Sequence, residues 1–302
     1  MRLLLACLAI SFTLACGDSS DDATGGTDGS STSGTAATTG GGATTTGGSS
    51  TTGGSSTTTG GNPMGSAGCG IALGEPTGEW NAKTIDVDGT TREYFVYLPP
   101  GYDPMRPYLV VYQFHGCSSS PDKENNNVPI QNESAGDAII LRGRAVGDCW
   151  DGDSDVAFFD AMVAATESAY CADPERRMAA GYSSGSFMTH QLACVRGAEL
   201  RGVASIAGGQ TGSGCTGDVA ALLIHDTDDG TVNISASQGA RDQYLEANGC
   251  GDMTAPFDPS PCVEYQGCEA GLPVVWCQTS GNGHDRQDGL AAPAFWNFLS
   301  TL

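Results

Sequence analysis

Arg177-Met178-Ala179-Ala180-Gly181-Tyr182-Ser183-Ser184-Gly185-Ser186-Phe187-Met188 is the stretch on which the reading of the whole chain turns. Residues 177–181 have the composition of a short buried strand, and residues 185–195 the spacing of a helix. Gly181-Tyr182-Ser183-Ser184-Gly185, a G-x-S-x-G pattern, therefore falls in the turn between them. Glycine at both ends permits a turn sharp enough to lift the Ser183 hydroxyl clear of the backbone. The amide of the next residue, Ser184, then points where negative charge would develop on a reacting carbonyl. The plain alternative is an ordinary strand-to-helix turn with a capping serine. Position argues against that alternative, because no other match to the pattern lies between a predicted strand and a predicted helix.

Outward from this turn, short apolar runs alternate with helical segments from Cys69 to the end of the chain. Residues 79–87 and 91–98 read as strands joined by a turn at Asp88-Gly89. Tyr108 to Phe114 is a continuous apolar strand of the kind buried on both faces. A helix is expected over residues 155–170, with Asp155 capping its start. Strands are expected over 202–207, 220–225 and 273–278, and helices over 235–248 and 292–302. The alternation predicts an α/β domain over residues 68–302: a mostly parallel sheet, led by antiparallel strands and covered by helices on both faces. In such sheets chemistry collects at the carboxyl ends of the strands.

A serine hydroxyl needs a base, and the chain has four histidines. His284, in the Gly281-Asn282-Gly283-His284 loop between the last strand and the last helix, occupies the place expected of that base. His190 lies inside the helix after Ser183 and reads as packing. His225 ends a strand just before an acidic run and is expected to support that loop, while His115 belongs to the loop after the buried strand. The orienting acid should come between serine and histidine in the chain. Asp226, Asp228 and Asp229 all fit, and each is otherwise read as part of a solvated acidic turn. Asp229, ahead of Gly230-Thr231-Val232, is the choice and Asp228 the fallback. His115-Gly116-Cys117 follows the buried strand, where a second oxyanion donor belongs, and would present the Cys117 amide. Trp150, Tyr182, Phe187 and Trp276 are candidates to line a substrate pocket, though each is equally at home in a core.

The N-terminus is different in kind. Met1-Arg2 and the apolar run 3–15, too short to span a bilayer, read as a secretory signal over residues 1–16. Cys16 after Leu14-Ala15 resembles a bacterial lipobox and is the candidate lipidation site, with Thr13 standing where leucine is usual. Residues 17–67 are almost wholly Gly, Ser, Thr, Ala and Asp, a composition that cannot bury enough apolar surface to fold, and are expected to be a disordered tether. The expected location is extracellular or on the outer cell surface, with membrane contact only through the lipid anchor.

Setting Cys7 and Cys16 aside leaves ten of the twelve cysteines: Cys69, Cys117, Cys149, Cys171, Cys194, Cys215, Cys250, Cys262, Cys268 and Cys277. An even set in an exported domain reads as a disulfide framework of open connectivity, with Cys149 the candidate partner of Cys117. No CxxC pair and no close histidine pair points to a metal. A formal charge of −22, from 35 acidic against 13 basic residues, disfavours nucleic acid and anionic lipid as partners.

The order of several short motifs carries a family resemblance. They include Arg92-Glu93-Tyr94, Phe114-His115-Gly116, Asp155-Val156-Ala157-Phe158-Phe159, Tyr170-Cys171-Ala172-Asp173, the run from Gly181 to Met188, Asn248-Gly249-Cys250 and Pro273-Val274-Val275-Trp276. From Cys69 onward the chain resembles the feruloyl esterase and polyhydroxybutyrate depolymerase group of carbohydrate esterase family one. The resemblance implies a disulfide-rich α/β-hydrolase fold without a large lid, a monomer, and no cofactor. It implies a serine esterase that releases hydroxycinnamates from plant xylan, and it sets the family's catalytic Ser, Asp and His on Ser183, Asp229 and His284. A polyhydroxybutyrate depolymerase and an acetylxylan esterase are the alternatives, and an inactive surface binding protein is the reading from another class. Two positions depart from the family pattern: Ser186 where a second glycine is common, and Asp226 where glycine usually follows the strand histidine. Both are expected to reshape the acyl pocket.

Overall fold

The computed structural model describes residues 65–118, 127–209, 215 and 218–302. The expected signal, Cys16 and nearly all of the expected tether lie outside these residues. The last three tether residues are described and are already docked on the domain. The Ser66 hydroxyl donates to the Tyr170 carbonyl at 2.6 Å, and the Ser66 amide to the Ala172 carbonyl at 2.8 Å.

Among the described residues, ten strands make one sheet in the order β1-β2-β4-β3-β5-β6-β7-β10-β9-β8. The strands are β1 (Trp80–Val87), β2 (Thr90–Tyr97), β3 (Tyr108–Phe114), β4 (Ala138–Gly143), β5 (Ala172–Tyr182), β6 (Gly202–Ile206), β7 (Ala220–Asp226), β8 (Thr254–Pro256), β9 (Val263–Tyr265) and β10 (Val274–Thr279). From β4 through β10 the central pairs are parallel, while β1–β2, β2–β4, β10–β9 and β9–β8 are antiparallel. The helices are α1 (Gly152–Ala169), α2 (Ser184–Val195), α3 (Ser235–Ala247) and α4 (Asp288–Leu299).

The pleat of β3 shows why both faces are covered. Tyr108, Val110, Tyr112 and Phe114 join a core with residues of α1, α2 and α3, whereas Leu109 and Val111 join a core with residues of α4. Successive side chains of a strand point to opposite faces, so a strand with apolar side chains on both requires a layer on each side.

Three local readings are corrected. Helix α1 starts at Gly152, and Asp155 does not cap it by preceding it. Instead its carboxylate accepts the Asp151 amide at 2.7 Å from inside the first turn and forms a buried ion pair with Arg92 at 2.6 Å. Strand β5 begins five residues before Arg177, because Pro174 is accommodated at a register shift against β3. Helix α4 begins at Asp288 and carries Pro293 inside it.

Candidate active site

Ser183 sits at the end of β5 with φ 54° and ψ −118°, a left-handed conformation costly for any residue with a Cβ. Two glycines make that turn possible. A Cβ on Gly181 would collide with the Gly185 carbonyl, and one on Gly185 with the Phe114 carbonyl. The Ser183 amide continues the sheet by donating to Ile206 at 3.0 Å, while its carbonyl accepts from the Ser186 amide at 2.9 Å and so begins α2. Ser184 is the first residue of α2, and its amide is one of the donors that a helix start leaves without an intrahelical acceptor.

Three chain-distant side chains meet there in one row. His284 Nε2 lies 2.9 Å from Ser183 Oγ, and His284 Nδ1 lies 2.8 Å from an Asp229 carboxylate oxygen. A carboxylate only accepts, so Nδ1 carries the proton and Nε2 is left to accept from the serine hydroxyl. Asp229 is buried, which pushes its carboxyl upward. Hydrogen bonds from His284 and from the Val232 and Thr231 amides outweigh that and hold it below the ordinary range. Asp229 is thus kept ionised opposite the imidazole.

Of the other two aspartates, Asp228 lies in an exposed turn, as expected, and Asp226 is buried. Asp228 accepts the Gly281 amide at 2.6 Å, so the fallback acid holds the histidine loop rather than the histidine. Asp226 is 1% exposed and accepts from Asp228, Thr279 and Asn282. His225 supports this loop, as expected, with Nε2 2.9 Å from the Val232 carbonyl.

Gly116 packs directly on the nucleophile: a Cβ there would lie 2.9 Å from the Tyr182 ring and 3.4 Å from Ser183 Cβ. This close approach brings the Gly116–Cys117 stretch against Ser183. Cys117 is bonded to Cys149, which fastens that stretch to the segment entering α1. His115 is fully buried, its Nδ1 2.7 Å from the Gly116 carbonyl and its Nε2 accepting the Ala145 amide at 3.3 Å. Burial lowers its pKa, in keeping with a neutral structural ring.

The aromatic candidates divide. Trp150 spends its backbone amide on Ser184 Oγ at 2.9 Å and its indole N–H on the His115 carbonyl at 2.8 Å, so it braces the frame behind the site. Tyr182 donates its hydroxyl to the His284 carbonyl at 3.1 Å. Trp276 is a core residue at 6% exposure, with Arg241 above its ring. Phe187, in the first turn of α2, stays partly exposed beside Ser183. Ser186 is fully buried against Gly208, and Asp226 is likewise buried. Among the described residues no group of three His, Cys, Asp or Glu side chains is placed to hold a metal.

The ten cysteines form five disulfides: Cys69–Cys171, Cys117–Cys149, Cys194–Cys215, Cys250–Cys268 and Cys262–Cys277. Such a framework is consistent with export into an oxidising compartment.

A mostly parallel sheet with a strained serine at a strand-to-helix turn, and histidine and aspartate on later loops, defines an α/β-hydrolase fold. No protein-family model matches the chain. It is 30% identical over 263 residues to feruloyl esterase D of Neurospora crassa, an alignment covering 78% of this chain and 90% of that one. The chain belongs to the feruloyl esterase family of carboxylic ester hydrolases. Among solved structures, an acetyl xylan esterase from Aspergillus awamori superposes with a TM-score of 0.57 at 16% identity, covering 74% of this chain and all of that one. A feruloyl esterase module from Clostridium thermocellum, complexed with sinapinate, superposes with a TM-score of 0.56 at 13% identity over 74% and 87% of the two chains. At these identities the superpositions speak for the fold alone.

Proposed function

We propose that the protein releases hydroxycinnamates, ferulate foremost, from ester linkages on plant cell-wall xylan, with Ser183, His284 and Asp229 as its catalytic triad. The observation that carries the reading is the unbroken row Ser183–His284–Asp229, at 2.9 Å and 2.8 Å, in a chain of the feruloyl esterase family.

Ser183 Oγ attacks the ester carbonyl while His284 Nε2 takes its proton. Asp229 holds the imidazole in the productive tautomer and stabilises the imidazolium. The tetrahedral oxyanion is met by the amides of Ser184 and Cys117, and removing one such donor typically raises the barrier by about 3 kcal/mol. Collapse returns the proton from His284 to the leaving sugar oxygen and leaves a cinnamoyl ester on Ser183. A water, deprotonated by His284, then frees the acid and restores the hydroxyl.

The sequence of residues 1–67 and the five disulfides support an exported catalyst carried on a tether and anchored through a lipid on Cys16. The substrate reading is tested by offering one preparation methyl ferulate, acetylated xylan and polyhydroxybutyrate. Release of ferulate in large excess over acetate and hydroxybutyrate is expected. Dominant release of either of the other acids would overturn the substrate class while leaving the triad in place.

A further inference from the structure

The catalytic base hangs on a soft loop. Between the end of β10 at Thr279 and His284 lie Gly281 and Gly283, both left-handed, at φ 83° and 66°. Little in residues 280–283 themselves would hold His284 at hydrogen-bonding distance from Ser183. The Tyr182 hydroxyl reaches the His284 carbonyl at 3.1 Å, and a further restraint comes from the neighbouring strand. β7 ends at Asp226, directly beside Thr279 in the parallel register. One Asp226 oxygen accepts the Thr279 hydroxyl at 2.9 Å, the Asn282 amide at 3.1 Å and the Asn282 side-chain amide at 2.9 Å, while the other accepts the Asp228 amide at 2.9 Å.

We propose that Asp226 is a positioning residue for the esterase reaction: its carboxylate latches Asn282 and thereby fixes His284 against Ser183. The inference rests on the triad reading above. A glycine at position 226 would have no side-chain acceptor for the Asn282 donors. Burial would drive this carboxyl upward, yet its hydrogen bonds bring it down to about 2, the mark of a group built in as an anion. Asp228 adds a second, exposed tether to Gly281 at 2.6 Å.

The test compares Asp226→Gly, Asp226→Asn and Ser183→Ala with the parent protein on methyl ferulate. Thermal midpoints and the far-downfield proton resonance of the His284 Nδ1–H···Asp229 bond are recorded alongside. Asp226→Gly is expected to lower kcat roughly ten- to hundred-fold through misplacement of the base, with KM changed far less. Its downfield resonance should broaden or vanish at temperatures where the protein stays folded. Asp226→Asn keeps an acceptor for Asn282 and should recover part of kcat. If Asp226→Gly does not fold, Asn282→Ala, altered on the exposed side of the latch, should show the same loss in kcat. Parent-like kcat and an intact resonance in a folded Asp226→Gly protein, or in Asn282→Ala where that variant carries the test, would overturn the proposal. Ser183→Ala separates the two readings: its inactivity beside a fully active Asp226→Gly defeats the latch alone, whereas its full activity defeats the triad.

Discussion

Nε2 of His225 stands 3.2 Å from the same Asp229 oxygen that His284 Nδ1 approaches at 2.8 Å. Its other neighbour is the Val232 carbonyl at 2.9 Å, so both groups facing Nε2 are acceptors and the proton resides there. The Nε2–H is spent on the Val232 carbonyl, so this buried ring stands beside the triad carboxylate and holds the turn that carries it. His225→Ala would leave the buried Val232 carbonyl without this donor, a loss of about 1–3 kcal/mol in stability. The expected result is a lower denaturant midpoint together with a several-fold fall in kcat, and His225→Gln, which retains a donor, should recover part of both. Equilibrium unfolding and steady-state kinetics on the same preparations check this.

Strand β2 is pinned to the start of α1 by charge. Arg92 and Asp155 are 5% and 2% exposed and meet at 2.6 Å, with the guanidinium also above the Phe158 ring. Deleting one partner strands the other in a dry site, so Asp155→Ala should destabilise the domain by about 3–5 kcal/mol. The apolar double replacement Arg92→Met with Asp155→Leu should cost far less. Urea midpoints of the two variants decide whether the pair contributes net stability or acts mainly by demanding its partner.

Much of this was legible in the sequence, and the boundary is instructive. β3 matches its expected limits because a run of seven buried residues, apolar but for Gln113, fits a doubly buried strand. Strand, turn and chain order together single out Ser183 and His284 in the sequence, and their side chains lie 2.9 Å apart. β4 went unread although residues 138–143 are all buried, since a short apolar run carries no period that separates strand from helix. β8 and β9, at three residues each, are too short to show a pattern. The role of Asp226 was invisible for another reason. Its partners Thr279 and Asn282 lie more than fifty positions away in the chain, and the pairing of β7 with β10 brings them together.

Acid should weaken the fold through His190. This ring is fully buried on α2 with its Nδ1 2.9 Å from the Tyr244 hydroxyl, and burial lowers its pKa from 6.5 to about 3. The unfolded chain binds a proton near pH 6.5 that the folded chain refuses until about pH 3. The stabilising contribution is therefore complete above 6.5 and declines as pH falls through that window. At pH 5 the loss from this one group is roughly 2 kcal/mol. Asp226 adds to the same trend lower down, between its ordinary 3.8 and its folded value of about 2. His190→Gln should flatten stability between pH 6.5 and 5 relative to the parent, as measured by urea unfolding at fixed pH values.

The row of hydrogen bonds from Asp229 through His284 to Ser183 is tested most directly by kcat/KM for methyl ferulate in Ser183→Ala against the parent protein. A fall of at least about a thousandfold, with the thermal midpoint preserved, is predicted for loss of a nucleophile whose partners remain in place. Activity within about tenfold of the parent would contradict the account, because another group would then be attacking the ester.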